Sequence, residues 1–164
     1  MNFACIHDIR RSGFDGFVTV SVLQAAKCCE VPNKPGVYLI LRPNSVRPEF
    51  LKESVGGRFK ENDPTVAAQK LESKWVENTP VLYIGKAGPR TATLRSRLWQ
   101  YVRFGQGQRV GHWGGRYIWQ LPESCDLLVC WKITALDSPR MIEKALLNEF
   151  KQAHGKLPFA NLSH

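Results

Sequence analysis

The residues best suited to chemistry in this chain begin with a carboxylate in an unexpected place. In Ser138-Pro139-Arg140-Met141-Ile142-Glu143-Lys144-Ala145-Leu146-Leu147-Asn148-Glu149-Phe150, Ser138 suits a helix N-cap. Pro139 suits the first helical position, which needs no backbone N–H. At ~100° per residue, Ile142, Ala145, Leu146, Phe150 and Ala153 form one apolar face, with Glu149 in its middle and Glu143 at its edge. A carboxylate on an apolar stripe is costly unless it is paired or binds a cation. Glu149 is therefore either paired or a cation ligand, and Glu143 is the rival carboxylate, read as a solvated rim residue paired with Lys144 or Arg140. Arg97 and Tyr101 stand one helical turn apart, so a guanidinium and a phenol project together. His112, among glycines and beside Trp113, is either a general base or ligand, or a surface hydrogen-bonding histidine.

Several elements must position these groups. Gly36-Val37-Tyr38-Leu39-Ile40-Leu41 and Val81-Leu82-Tyr83-Ile84-Gly85-Lys86 read as buried strands, and Leu127 to Ile133 as a third. A helix capped by Thr91 or Thr93 runs to about Phe104, with Leu94, Leu98, Tyr101 and Val102 inward and Arg97 flanking. A second helix is expected from Pro64 to about Asn78, capped by Asp63, with Val66, Leu71, Trp75 and Val76 inside. Residues 1–14 read as irregular. Phe17 to Val20 starts strand-like and turns helical from Ser21. The resulting class is α/β (α+β): a small, mainly antiparallel three-stranded sheet flanked by helices. It forms one domain over 1–164, with an N-terminal extension over 1–30 and a helical insertion over 42–80.

Composition narrows the partners. The 164 residues are 43% apolar and 23% charged, which is enough for a core and argues against disorder. A net charge of +9 points to a polyanion such as nucleic acid. No apolar run approaches the ~18 residues of a membrane span. The start lacks a secretory pattern, so a cytoplasmic location is the default. The five cysteines are odd in number and show no paired C-x-x-C, and read as reduced thiols rather than a zinc site. The glycine-rich stretch with Arg103, Arg109, His112, Trp113 and Arg116 reads either as a nucleic-acid contact or as a loop packed by its tryptophans. Arg58 and Lys60 form a second candidate patch.

Taken in order, Gly36-Val37-Tyr38, Tyr83-Ile84-Gly85 followed by Lys86, a helix arginine, a late helix glutamate and Pro158-Phe159-Ala160-Asn161 resemble the signature of the GIY-YIG nuclease superfamily, in particular its small free-standing bacterial members. The resemblance spans roughly residues 30–162. It implies a metal-dependent DNA endonuclease using Mg2+ or Mn2+. It assigns the metal to Glu149, the scissile phosphate to Arg97, the paired active-site tyrosines to Tyr38 and Tyr83, and supporting places to Tyr101, Lys86 and Asn161. The 44 residues between Tyr38 and Tyr83 exceed the usual gap and imply an inserted arm. Extra residues before the arginine helix leave Arg95 as a rival to Arg97, and as a nucleic-acid contact.

The chemistry agrees with this assignment. Phosphodiester hydrolysis needs an activated water, a cation or guanidinium on the phosphate, and help for the leaving oxygen. Tyr38 is the better candidate base, with Tyr83 positioning water or phosphate. One site per chain nicks, so cutting both strands calls for a homodimer. The competing readings are a non-catalytic nucleic-acid-binding module on the same scaffold, and a cysteine-dependent metal or redox protein.

Overall fold

The computed structural model describes residues 1–44, 46–88, 92–134 and 137–162. Its centre is β2 (Gly36–Leu41), in which every residue is buried. Both faces of this strand are covered, which is why it reads as a continuous apolar run rather than an alternating one. β2 pairs antiparallel with β3 (Val81–Ala87) on one side and β4 (Leu128–Ile133) on the other. Successive side chains point to opposite faces. Tyr38 and Ile40 enter one core layer, and Val37, Leu39 and Leu41 the other.

The sheet has four strands, not three. β1 (Asp15–Thr19) pairs antiparallel with β4, giving the order β1-β4-β2-β3. The added strand carries a bulge between Gly16 and Val18, with Phe17 at a positive φ of 57°. That interruption breaks the two-residue alternation by which a strand is recognised. Gly16 is required there, because a Cβ would sit 2.6 Å from the Trp131 ring. The stretch read as an extension also folds as α1 (Ile6–Arg11), where irregular chain was expected, and α2 (Val20–Ala25).

The insertion holds a shorter helix than expected, α3 (Ala68–Lys74). Asp63 does not cap it; its carboxylate accepts the Thr65 N–H at 2.8 Å and an Arg58 N–H at 3.0 Å, which makes a turn. Leu71, Trp75 and Val76 are buried as expected. Buried Gln120 ties the arm down: its side chain accepts the Val66 N–H and donates to the Leu51 and Val66 carbonyls.

α4 (Leu94–Gly105) begins in a reciprocal capping box between Thr93 and Ser96. Thr91, the alternative cap, lies outside the described residues. Arg116–Gln120 is a short 3-10 turn. α5 (Pro139–His154) starts at Pro139 as expected and ends at Gly155, which adopts φ 75°. α5 lies against β3 and β2 on the face opposite α4. Among the described residues no helix is long and apolar enough to cross a membrane.

Candidate active site

β3 is an edge strand, and its outer edge is partly closed by the chain's tail. Ala160 donates its N–H to the Leu82 carbonyl at 2.8 Å. Buried Asn161 takes both backbone groups of Ile84, accepting its N–H at 2.9 Å and donating to its carbonyl at 2.8 Å. Side chains lie on either side of the strand: Tyr83 toward the α4 layer, Lys86 toward α5. Past the tail, a cavity of about 240 Å³ wraps the strand and is lined by Tyr83, Lys86, Gly88, Ala92, Arg97 and Glu143.

α4 delivers Arg97 because Leu94, Leu98 and Tyr101 are buried and leave it on the flank nearest β3. α5 delivers Glu143, not Glu149. The buried stripe of α5 is Leu146, Leu147 and Phe150, and Glu143 stands one turn before Leu146 and Leu147 on the same side. Its side chain is 14% exposed and forms an ion pair with the Lys86 ammonium. Glu149 is 48% exposed and pairs with the N-terminal ammonium of Met1 at 2.8 Å, away from the cavity. The expectation that Glu149 occupies the middle of an inward face is therefore corrected. Ala145 and Ala153, which defined that face, are exposed.

Behind the cavity is a buried aromatic wall. The Tyr38 and Tyr83 rings lie 5.9 Å apart between centroids. Gly85 permits this, since a Cβ there would stand 2.5 Å from Tyr38 Cζ and 2.7 Å from Tyr83 Cε1. Tyr101 packs against His112 at 5.1 Å and Trp119 at 4.7 Å. The hydroxyls of Tyr38 and Tyr101 and both nitrogens of His112 are buried with no hydrogen-bond partner among the described residues. Burial raises the Tyr38 pKa well above its ordinary value, with the nearby Tyr83 adding to the rise and Arg97 opposing it. Burial also raises Tyr83, again against Arg97. Burial first, and then the charge of Arg97, push the His112 pKa down to about 3, so its imidazole is neutral.

Other expected contacts fall elsewhere. His112 is fully buried, which removes it from any nucleic-acid surface. Arg95 turns back to the Val31 and Cys29 carbonyls at 2.8 and 2.9 Å, so Arg97 alone of the two lines the cavity. Arg103 donates to Gln108, and Arg109 pairs with Glu61 at 3.0 Å. Trp113 packs partly buried against the core, with Arg116 4.6 Å over its ring. Tyr38, Tyr101 and Asn161 support the site without lining the cavity.

Among the described residues no three His, Cys, Asp or Glu side chains gather as a metal cluster. All five cysteines are free; Cys28 is buried while its neighbour Cys29 is exposed, so the pair does not make a zinc clamp. Among the described residues Glu143 is the one largely buried carboxylate lining the cavity, and a hard divalent ion that keeps most of its waters could bind it only by displacing or sharing it with the Lys86 ammonium. The arrangement therefore offers one hard anionic ligand, a forked guanidinium, an ammonium and a phenol around one small space. Compared with protein-family models, curated proteins and solved structures, the chain matches none.

Proposed function

We propose that this chain is a divalent-metal-dependent endonuclease of the GIY-YIG type that hydrolyses DNA phosphodiester bonds. The observation that carries the reading is the convergence of Tyr83 and Lys86 from β3, Arg97 from α4 and Glu143 from α5 on one cavity, in a chain of net charge +9. Glu143 would hold the Mg2+ or Mn2+. Such an ion supplies charge neutralisation at the phosphate and a more acidic water.

The remaining roles belong to the protein's own groups. Arg97 presents a planar fork to the non-bridging phosphate oxygens. Lys86 holds the Glu143 carboxylate in place and offers a cation to the incoming phosphate. Tyr83 stays protonated at neutral pH because burial raises its pKa, so it donates a hydrogen bond to phosphate or water. Tyr38 is buried behind Tyr83 and also protonated, which argues against it as the proton acceptor. Tyr101 and His112 back the site and exclude bulk water. Asn161 fixes the strand that bears Tyr83 and Lys86. A double-strand break takes a homodimer, since the described residues of a chain bring these four groups together at one cavity.

The Lys86–Glu143 ion pair favours a second reading, a nucleic-acid-binding module whose carboxylate is already neutralised. Incubation with plasmid, branched and single-stranded DNA in Mg2+ or Mn2+ separates the two. The nuclease reading predicts cleavage by wild type and a loss of about 10²-fold or more in Arg97→Ala, the scale of removing one transition-state donor. Undiminished cleavage by Arg97→Ala contradicts it. Binding without cleavage of any substrate favours the second reading.

A further inference from the structure

We propose that α5 carries a DNA track, in which Arg140, Lys144 and Lys151 guide the backbone of a duplex past the Glu143 cavity. The inference rests on the nuclease reading and adds where the substrate lies.

At ~100° per residue, Lys144 and Lys151 fall within about 40° and about 20° of Arg140, so the three form one row along the helix. At ~1.5 Å per residue the row is about 16 Å long, which matches about five phosphates at ~3.4 Å each along one strand. A cavity of about 500 Å³ opens at one end, lined by Lys86, Ser138, Arg140, Glu143 and Lys144 among others. It shares Lys86, Gly88 and Glu143 with the candidate active site, so the two are neighbours. A cavity of about 390 Å³ lies at the other end, lined by Lys74, Lys151 and Lys156 among others. The row therefore runs between two cation-lined hollows, one of which borders the site.

The cations of this surface are free, and they are aligned with the site. Arg140, Lys144, Lys151, Lys74 and Lys156 are all exposed and form no ion pair among the described residues. Of the basic residues in the glycine-rich loop and the insertion, Arg58 is paired with Asp63, Arg109 with Glu61, and Arg103 donates to Gln108. Glu149 lies about 180° around the helix from Arg140, which keeps its charge off the row. A row of unpaired cations running from one hollow to another beside the site is the footprint of a polyanion. Lysines and an arginine at this spacing hold and orient a phosphate backbone.

The test is binding of a 20-base-pair duplex in EDTA, across a range of salt, so that catalysis plays no part. Arg140→Ala, Lys144→Ala and Lys151→Ala are combined in one variant. The control combines Arg11→Ala, Arg47→Ala and Lys52→Ala, which removes the same charge from exposed positions elsewhere. The track predicts that the slope of log affinity against log salt becomes shallower by about 2 to 3 in the α5 variant, at ~0.9 per phosphate contact. The control variant keeps the wild-type slope. Equal losses in the two variants overturn the track while leaving the nuclease reading intact, because cleavage is scored separately. A wild type that binds polyglutamate more tightly than duplex overturns it in favour of an acidic protein partner. A wild type that neither binds nor cleaves DNA sinks the reading and the track together.

Discussion

Asn161 grips Ile84 with both ends of its side-chain amide, accepting its N–H at 2.9 Å and donating to its carbonyl at 2.8 Å. A side chain thus replaces a neighbouring strand at the exposed edge of β3. Ile84 lies between Tyr83 and Lys86, so the grip sets the register of both cavity residues. Asn161→Ala leaves two buried backbone groups unsatisfied, each costing about 1–3 kcal/mol. The expected loss is about 2–4 kcal/mol in denaturant unfolding, with a matching fall in the midpoint. A loss below about 0.5 kcal/mol would show that the edge holds without the tail.

Tyr83 and Tyr38 should separate cleanly. Tyr83 lines the cavity, whereas the Tyr38 hydroxyl is buried and unpartnered. Tyr83→Phe is expected to lower cleavage about 10²-fold or more. Tyr38→Phe removes a buried hydroxyl whose nearest polar neighbour is Tyr83, so it should change stability by no more than about 1.5 kcal/mol and cost far less activity. Parallel cleavage rates and melting curves check both halves.

His112 predicts a pH effect with a definite sign. Its folded pKa is near 3, below the unfolded value of about 6.5. Between those values the unfolded chain binds the extra proton, so stability rises with pH and is lost as pH falls from about 6.5 toward 3. The slope from this one group is at most about 1.4 kcal/mol per pH unit. His112→Phe should remove that share of the slope, while staying within about 1 kcal/mol of wild type at pH 7 because the nitrogens it deletes have no partners. Unfolding curves at pH 7 and pH 4.5 measure it.

The cysteines should titrate in two classes. Cys5, Cys29 and Cys125 are exposed, and Cys28 and Cys130 are buried. Burial pushes the Cys28 thiol up to about 12 and raises Cys130 as well. A thiol reagent at pH 8 should therefore modify three groups quickly and two only on unfolding. Five fast thiols would contradict the packing around Cys28 and Cys130.

Much of the scaffold was legible because its signals are local. β2, β3 and β4 announce themselves as β-branched and aromatic runs, and α4 by Thr93 and its inward leucines. β1 was hidden by its bulge and by Phe17 at positive φ. The choice between Glu143 and Glu149 was not legible, because a helical wheel weighs alanine like leucine. Ala145 and Ala153 pulled the apparent face toward Glu149, while packing against the sheet follows the larger Leu146, Leu147 and Phe150. The burial of His112 had no local signal either. It stands between two glycine-containing steps in Val110-Gly111-His112-Trp113-Gly114, and the ring it packs against, Tyr101, comes from α4.

The central claim is that Glu143 is the carboxylate on which cleavage depends. The direct measurement compares Mg2+- or Mn2+-dependent plasmid cleavage by Glu143→Gln and Glu149→Gln, with folding of both variants verified by melting. The account predicts that Glu143→Gln loses cleavage by about 10²-fold or more, the scale of one lost electrostatic contact in a transition state. It predicts that Glu149→Gln keeps it, having lost only a half-exposed pair with the N-terminus. Full activity in Glu143→Gln, or its loss in Glu149→Gln alone, would contradict the account.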